Sequence, residues 1–293
     1  MIQLRYWLKA TRPKTLPASL IPVFIGTSVA YSENKFDFFL FIITALCSML
    51  IQIITNYLNE LYDFKKGADT KERLGPQRIV ADGIVKPRQM AIVSILLIII
   101  TISLGMILVA HAGIIILISG LVSILMAYAY TGGPYPLAYK GVGDLFVLVF
   151  FGLLATAGTH YVQTLNFSYI ALIAGFAPGF FSMNILGVNN IRDINTDIKV
   201  GKMTLQARLG VNKSKIMYYI INLLAFLVPI VLFLFNMNMI LLLPILIFPI
   251  SISICRKLSK STGAEYNIIL NNTGKLLVFY GILQSISFVL INI

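Results

Sequence analysis

From Thr15 to Ile291 the chain alternates long apolar runs with short polar breaks, and the runs are long enough to cross a membrane. A helix spanning the hydrocarbon core needs about 20 mostly apolar residues. By that measure the pattern predicts nine helices, near residues 15–32, 37–60, 90–110, 112–130, 143–163, 168–190, 215–235, 238–255 and 272–291. Pro17, Pro22, Pro178, Pro244 and Pro249 fall inside these runs, where membrane helices tolerate proline if neighbouring groups satisfy the released carbonyls. Ahead of the first run, Leu4 to Lys14 mixes Tyr6 and Trp7 with Arg5, Lys9, Arg12 and Lys14. That mixture suits a helix lying at the headgroup level. The Arg12-Pro13-Lys14 interruption, with no small-residue cleavage site after it, predicts no cleaved signal peptide.

The expected fold is all-α and polytopic, with about nine transmembrane helices: two pseudo-repeated four-helix halves plus a ninth helix around a central cavity. The chain reads as one integral membrane domain over 1–293, its first half at 1–130, its second at 131–255 and its last helix at 256–293. The duplication rests on Asn59-x-x-x-Asp63 and Asn189-x-x-x-Asp193, which stand at corresponding places after runs two and six.

Composition sharpens this picture. Hydrophobic residues make up 58% of the 293 and charged ones 12%, against about a quarter charged in soluble domains. An ordinary soluble protein is excluded. The net charge of +12 suits nucleic acid, anionic lipid or an anionic substrate, and its distribution decides among them. Lys and Arg crowd into the stretch before run one and the loops after runs two, four, six and eight, while the opposite side holds only Lys35. The positive-inside rule places the amino terminus and those loops in the cytoplasm, so no nucleic-acid partner is expected and the bilayer is the surrounding medium. Cys47 and Cys255 lie far apart in or beside apolar runs, as small buried hydrophobes do. His111 and His160 fall near the outer face, away from the motifs.

The chemistry-bearing residues gather at the ends of runs two and six. Three- and four-residue spacing on a helix lets Asn56, Asn59, Glu60 and Asp63 share a face, with Gly67 ending the helix and letting Asp69 fold back. Asn189, Asp193 and Asp197 follow at i, i+4 and i+8 on one stripe. An oxygen-only set without His or Cys favours a hard ion such as Mg2+, held through one or two carboxylates with phosphate oxygens and water completing its shell. The candidate metal ligands are Asn59, Asp63, Asp69, Asp193 and Asp197; Asn59, Asp63, Asn189, Asp193 and Asp197 are the candidate catalytic group. Lys66, Arg73, Arg78, Arg192 and Lys202, joined by Arg208, are placed to neutralise a diphosphate. The loop from Tyr128 to Gly141 offers Tyr130, Thr131 and Lys140 to an aromatic acceptor. Ion-coupled carriers also duplicate helices and bury charges, but hold their site near the midplane, whereas these motifs lie at helix ends and run on into basic loops.

These residues resemble the UbiA superfamily of intramembrane prenyltransferases. The likeness runs from Arg12-Pro13-Lys14-Thr15-Leu16-Pro17, through Lys66-Gly67-x-Asp69-x-x-x-Arg73-x-Gly75-Pro76-x-Arg78 and Tyr130-Thr131-Gly132-Gly133-Pro134, to Asn189-Asn190-x-Arg192-Asp193-x-x-x-Asp197-x-x-x-Gly201-Lys202. Within the superfamily it is similar to the branch acting on 1,4-dihydroxy-2-naphthoate. The resemblance implies magnesium, a polyprenyl diphosphate and an aromatic acid acceptor, with prenylation coupled to loss of carbon dioxide to give a demethylmenaquinone, in a prokaryotic plasma membrane. Other members act on 4-hydroxybenzoate, homogentisate or haem. Two departures stand out: Glu60 replaces the usual Asp, and Asp69 lies six residues after Asp63 where Gly67 holds the usual acidic position.

Overall fold

The computed structural model describes residues 4–69, 74–76 and 78–291. Among them only helices and connecting turns occur: α1 (Leu4–Ala10), α2 (Pro17–Ser32), α3 (Phe38–Lys65), α4 (Pro87–Ala112), α5 (Ile114–Ala129), α6 (Gly143–Leu148), α7 (Ala155–Thr164), α8 (Tyr169–Lys199), α9 (Leu205–Asn236), α10 (Phe248–Lys260) and α11 (Tyr266–Leu290). A π-helical segment, Val149–Leu154, joins α6 to α7 as one span, and a 3-10 segment, Met239–Ile247, leads into α10.

The polypeptide marks its own helix ends. Asp37 starts α3 by accepting the Leu40 amide at 2.9 Å, and Ser168 starts α8 by accepting that of Ala171 at 3.2 Å. Both helices also stop in the same way. Gly67 and Gly201 adopt φ of +68° and +71°, and the chain turns back so that Ala68 N–H bonds Asp63 O at 2.9 Å and Lys202 N–H bonds Asp197 O at 2.8 Å. This glycine cap needs a left-handed residue, which glycine supplies without a Cβ clash. It puts Asp63 and Asp197 at the same position relative to their helix ends.

The count of spans needs correcting. Helices occur near all nine expected places, yet seven of the described ones are long and apolar enough to cross a bilayer, and an eighth follows if Leu4–Thr15 and Pro17–Ser32, bent by 53°, count as one. The shortfall is α5: Gly113 (φ +75°) breaks the chain after Ala112, leaving 16 residues, or about 24 Å of helix against about 30 Å of hydrocarbon. The seventh run also begins earlier than expected. Thr204 caps α9 by accepting the Ala207 amide at 3.1 Å, so the helix starts at Leu205 and kinks at Gly210.

Packing is uneven. The main core joins α2, α8, α9, α10 and α11 around Phe181, Phe226, Leu232, Leu276 and Tyr280. Helices α4 and α5 instead turn rows of Ile and Leu outward, as lipid-facing surfaces do. The α6–α7 span crosses α8 where Gly152, Gly175 and Gly179 meet backbone to backbone: a carbon added to Gly175 would lie 2.8 Å from the Gly152 carbonyl oxygen, and one added to Gly152 would lie 2.6 Å from that of Gly175. Small residues allow such close approach between membrane helices, where packing rather than hydrophobic burial drives association. Between this rigid half and the α4–α5 pair lies a cavity of about 840 Å³.

Candidate active site

The cavity is polar at one end and apolar beyond it. Asn59, Asp63, Arg78, Asn189, Arg192 and Lys202 stand on its wall at the ends of α3 and α8, whereas Ile102, Met106, Leu117, Phe146 and Phe150 line its depth. Tyr130 and Thr131, following α5, also face it. A helix end supplies oxygens and amides where the aqueous interface begins, and the spans beyond supply hydrocarbon, so the chain's own register sets this gradient.

At the end of α3, Asp63 is 3% exposed and accepts hydrogen bonds from Arg78 Nη2 at 3.0 Å and from the Tyr139 hydroxyl at 3.0 Å. Arg78 Nε also reaches Asp69 Oδ1 at 3.3 Å. Thr131 Oγ1 donates to Asn59 Oδ1 at 2.9 Å, and Lys66 Nζ donates to the Thr131 carbonyl at 2.7 Å, tying the loop after α5 to α3. At the end of α8, the Arg192 guanidinium grips both oxygens of Asp193, at 2.8 and 2.6 Å. It donates as well to Asn189 Oδ1 at 2.8 Å and Asn267 Oδ1 at 2.7 Å. Lys202 Nζ lies 3.6 Å from Asp197 Oδ1. Each motif acid thus meets a cation, which offsets part of the cost of placing charge at the edge of hydrocarbon.

Tyr139 was not among the expected site residues, yet it links the two helix ends. Its ring sits 4.4 Å from Lys66 Nζ and 5.6 Å from Lys202 Nζ, while its hydroxyl bonds Asp63. Burial raises its pKa well above the ordinary phenol range, and the Asp63 charge adds to the effect, so the hydroxyl stays a donor. Burial also pushes the Lys66 ammonium down; Asp63 opposes this and Lys202 reinforces it. A buried relay was missed too: Asn190 Nδ2 donates to Gln206 Oε1 at 2.9 Å, and Gln206 Nε2 donates to Asp144 Oδ1 at 2.9 Å. Arg12, held at a left-handed φ of 52° in the bend before α2, brings another cation to the wall. In the sequence it stood out in the Arg12-Pro13-Lys14 interruption and at the start of the stretch that carries the family resemblance.

Several expectations need revision. Glu60 does not share the cavity face of Asn56, Asn59 and Asp63; it is 1% exposed and accepts the Val80 amide at 3.0 Å, fastening the loop that carries Arg78. Asp69, Asp193, Asp197 and Lys66 stand behind the wall against its cations and Tyr139 rather than on it. Lys140 is not brought to the cavity. Its ammonium lies 4.8 Å from the Tyr135 ring on the exposed side of the loop, because Gly141 (φ +75°) turns the chain and Arg208 Nη2 bonds the Lys140 carbonyl at 3.2 Å. Arg208 therefore anchors a loop. Arg73 lies outside the described residues.

The donor set suits a hard cation. It is built of carboxylate and amide oxygens, and among the described residues no three acidic, His or Cys groups stand close enough to cage an ion alone. Carboxylate and amide oxygens are the donors a hard ion such as magnesium takes, one or two carboxylates at a time, with water and substrate phosphate filling its shell.

Comparison with known proteins agrees with this geometry. Residues 19–266 match the UbiA prenyltransferase family. The 1,4-dihydroxy-2-naphthoate octaprenyltransferase of Haemophilus influenzae is 34% identical over 232 residues, covering 75% of this chain and 74% of its own. Its namesake from Escherichia coli is 36% identical over 212 residues, covering 70% and 68%. Among solved structures, a UbiA homolog from Archaeoglobus fulgidus bound to DMAPP and Mg2+ superposes with a TM-score of 0.70 at 13% identity, covering 97% of this chain and 98% of that one. The same homolog bound to GPP and Mg2+ gives 0.69 at 15% identity, covering 97% and 99%.

Proposed function

Since the chain belongs to the UbiA prenyltransferase family, we propose that it transfers a polyprenyl group from its diphosphate to 1,4-dihydroxy-2-naphthoate, the acceptor named for its bacterial relatives. It is a multi-pass membrane prenyltransferase. The observation that carries the reading is the cavity itself: acids and cations from two helix ends at one mouth, and an apolar wall leading from them between the helices. A prenyl diphosphate has the same division between charged head and hydrocarbon tail.

In this reading the allylic carbon–oxygen bond breaks with its electron pair leaving on the diphosphate. Arg78, Arg192 and Lys202, with Lys66 close behind, stand where that charge grows. The naphthoate ring carbon bearing the carboxylate then donates its π electrons to the allylic carbon, forming the new carbon–carbon bond. Carbon dioxide departs, leaving its bonding pair to restore the aromatic ring as the quinol of a demethylmenaquinone. No protein nucleophile takes part. Asp63, Asp193 and Asp197, with the Asn59 carbonyl and Asp69 behind Arg78, form the oxygen set that would hold magnesium, which when bound supplies further positive charge against the leaving group. Tyr130 and Thr131 close the mouth on the acceptor side. The basic loops set this mouth toward the cytoplasm of a prokaryotic cell, and the two sequence halves, 1–130 and 131–255, each bring one helix end to it.

The test uses purified enzyme in lipid with magnesium, a polyprenyl diphosphate and equal amounts of 1,4-dihydroxy-2-naphthoate and 4-hydroxybenzoate. Prenylated naphthalenediol, pyrophosphate and carbon dioxide are expected, with turnover lost in EDTA and regained on adding magnesium. Prenylated hydroxybenzoate as the sole product would overturn the acceptor; absence of pyrophosphate would overturn the reaction class. Lys140→Ala is expected to leave both Michaelis constants within about twofold of wild type, because its ammonium faces away from the cavity. A tenfold rise in the acceptor constant would return Lys140 to the site.

A further inference from the structure

Of the buried side-chain oxygens lining the cavity, three have no hydrogen-bond partner among the described residues: Gln52 Oε1, Ser182 Oγ and, eight residues further from the mouth along α3, Thr44 Oγ1. Gln52 on α3 is 7% exposed and Ser182 on α8 is 4% exposed; both line the cavity, and neither Gln52 Oε1 nor Ser182 Oγ makes a hydrogen bond. Their places correspond. Gln52 stands seven residues before Asn59 and Ser182 seven before Asn189, so each lies two helical turns, about 10 Å, below the charged mouth on the face that the asparagine presents.

The orientation of the Gln52 amide is fixed by its neighbour. Thr15 Oγ1 gives its proton to the Arg12 carbonyl at 2.9 Å and so has only lone pairs left. It accepts from Gln52 Nε2 at 3.3 Å and from Asn56 Nδ2 at 3.3 Å. The amide nitrogen of Gln52 is therefore committed to Thr15 in the bend before α2, and its oxygen is left as an acceptor for something in the cavity. Ser182 offers a hydroxyl that both donates and accepts. A buried polar oxygen with no partner is costly, more so at membrane depth. Two of them at corresponding positions on two helices that line the same cavity amount to a seat for a polar group that arrives with a ligand. The isoprenoid tail carries no such group, and the diphosphate belongs with the cations above.

We propose that Gln52 and Ser182 bind the two ring hydroxyls of the aromatic acceptor, one hydroxyl donating to Gln52 Oε1 and the other bonding Ser182 Oγ. This rests on the acceptor reading above and adds residues to it. It seats the acceptor between α3 and α8, on the apolar side of the charged mouth, so that the ring lies below the leaving diphosphate. It also explains why a diol is selected: an acceptor lacking one hydroxyl leaves one of these oxygens buried and unpaired again.

The experiment compares wild type, Gln52→Leu and Ser182→Ala with 1,4-dihydroxy-2-naphthoate and with each of its two deoxy analogues, 1-hydroxy-2-naphthoate and 4-hydroxy-2-naphthoate. The readout is the ratio of each analogue's inhibition constant, as a competitor of the diol, to the KM of the diol; it does not depend on the amount of folded enzyme, nor on ring reactivity, which 4-hydroxy-2-naphthoate loses with the hydroxyl beside the carboxylate-bearing carbon. Wild type is expected to favour the diol. Gln52→Leu should cut its preference over one analogue at least tenfold, Ser182→Ala over the other, with the KM for prenyl diphosphate unchanged. Preferences that stay within twofold of wild type in both variants, while the diol is still prenylated, overturn the seat and leave the proposed reaction standing. Failure of wild type to prenylate the diol at all overturns both. Ser182→Ala removes one atom from a wall position, so it keeps the comparison available if the Gln52 variant does not fold.

Discussion

Asp63→Asn is expected to lower turnover at least a thousandfold while leaving the protein folded, and Asp193→Asn to do the same. The amide is isosteric, and its oxygen can still accept from the Tyr139 hydroxyl or Arg78 in place of Asp63, or from Arg192 in place of Asp193. What the substitution removes is the negative charge available to a magnesium ion at the mouth of the cavity. Deleting a single group that stabilises developing charge commonly costs about a hundred- to a thousandfold, and loss of a metal site costs more because the leaving group is then also mispositioned. The asparagine variants are better probes than alanine. Asp63→Ala would take one carboxylate partner from the buried Arg78 guanidinium, a change of the kind that costs about 3–5 kcal/mol, so inactivity there would confound chemistry with unfolding. Pyrophosphate release in lipid vesicles, set against the monodisperse fraction after extraction, separates the two. Activity within tenfold of wild type in either variant removes that acid from the site.

The second large effect concerns the scaffold. Gly175→Leu is expected to abolish recovery of folded protein, whereas Gly158→Ala is expected to leave it unchanged. At Gly175 the first added carbon already meets the Gly152 carbonyl at 2.8 Å and Thr156 Cβ at 3.1 Å. Backbone cannot swing aside as a side-chain tip can, so α8 and the α6–α7 span must separate along their crossing. Overpacking of a yielding core costs about 1–3 kcal/mol, and this contact does not yield. Gly158 is on the same span, but an added carbon meets nothing within 4 Å, and alanine is the better helix former. Thermal midpoints in detergent check both; a Gly175→Leu protein with wild-type stability would show that the crossing is looser than drawn.

Much of this molecule was legible in its sequence because hydrocarbon is an unforgiving solvent. Runs of Ile and Leu broken by basic loops leave little choice but membrane helices, and Asn59 and Asp63 share a wall because helical periodicity puts them there, whereas of the expected stripe Asn189, Asp193 and Asp197 only Asn189 lines the cavity. Where a loop sets the direction, the pattern was silent. Lys140 and Tyr139 are adjacent, yet the 3-10 turn from Leu137 to Lys140 sends the tyrosine inward to Asp63 and the lysine outward to Tyr135. Glu60 was misplaced for a similar reason: one residue beyond Asn59, it faces the 78–85 loop instead of the cavity, and only the fold of that loop gives its carboxylate a partner. The length of α5 turned on Gly113, whose positive φ has no signature in an apolar run that continues on both sides.

That short helix has a consequence for the membrane as well as for the protein. With about 24 Å of apolar length beside neighbours of 22 residues or more, α5 is mismatched to its surroundings, and the bilayer answers by thinning next to it or by letting headgroups follow its ends inward. One of those ends is the Tyr130–Thr131 turn that bonds Asn59. Headgroups drawn to that level sit beside the charged mouth instead of above it, so an amphiphile drifting in the leaflet reaches the site at its own depth, without rising into water. The thickness of the host bilayer thereby becomes a variable of the enzyme.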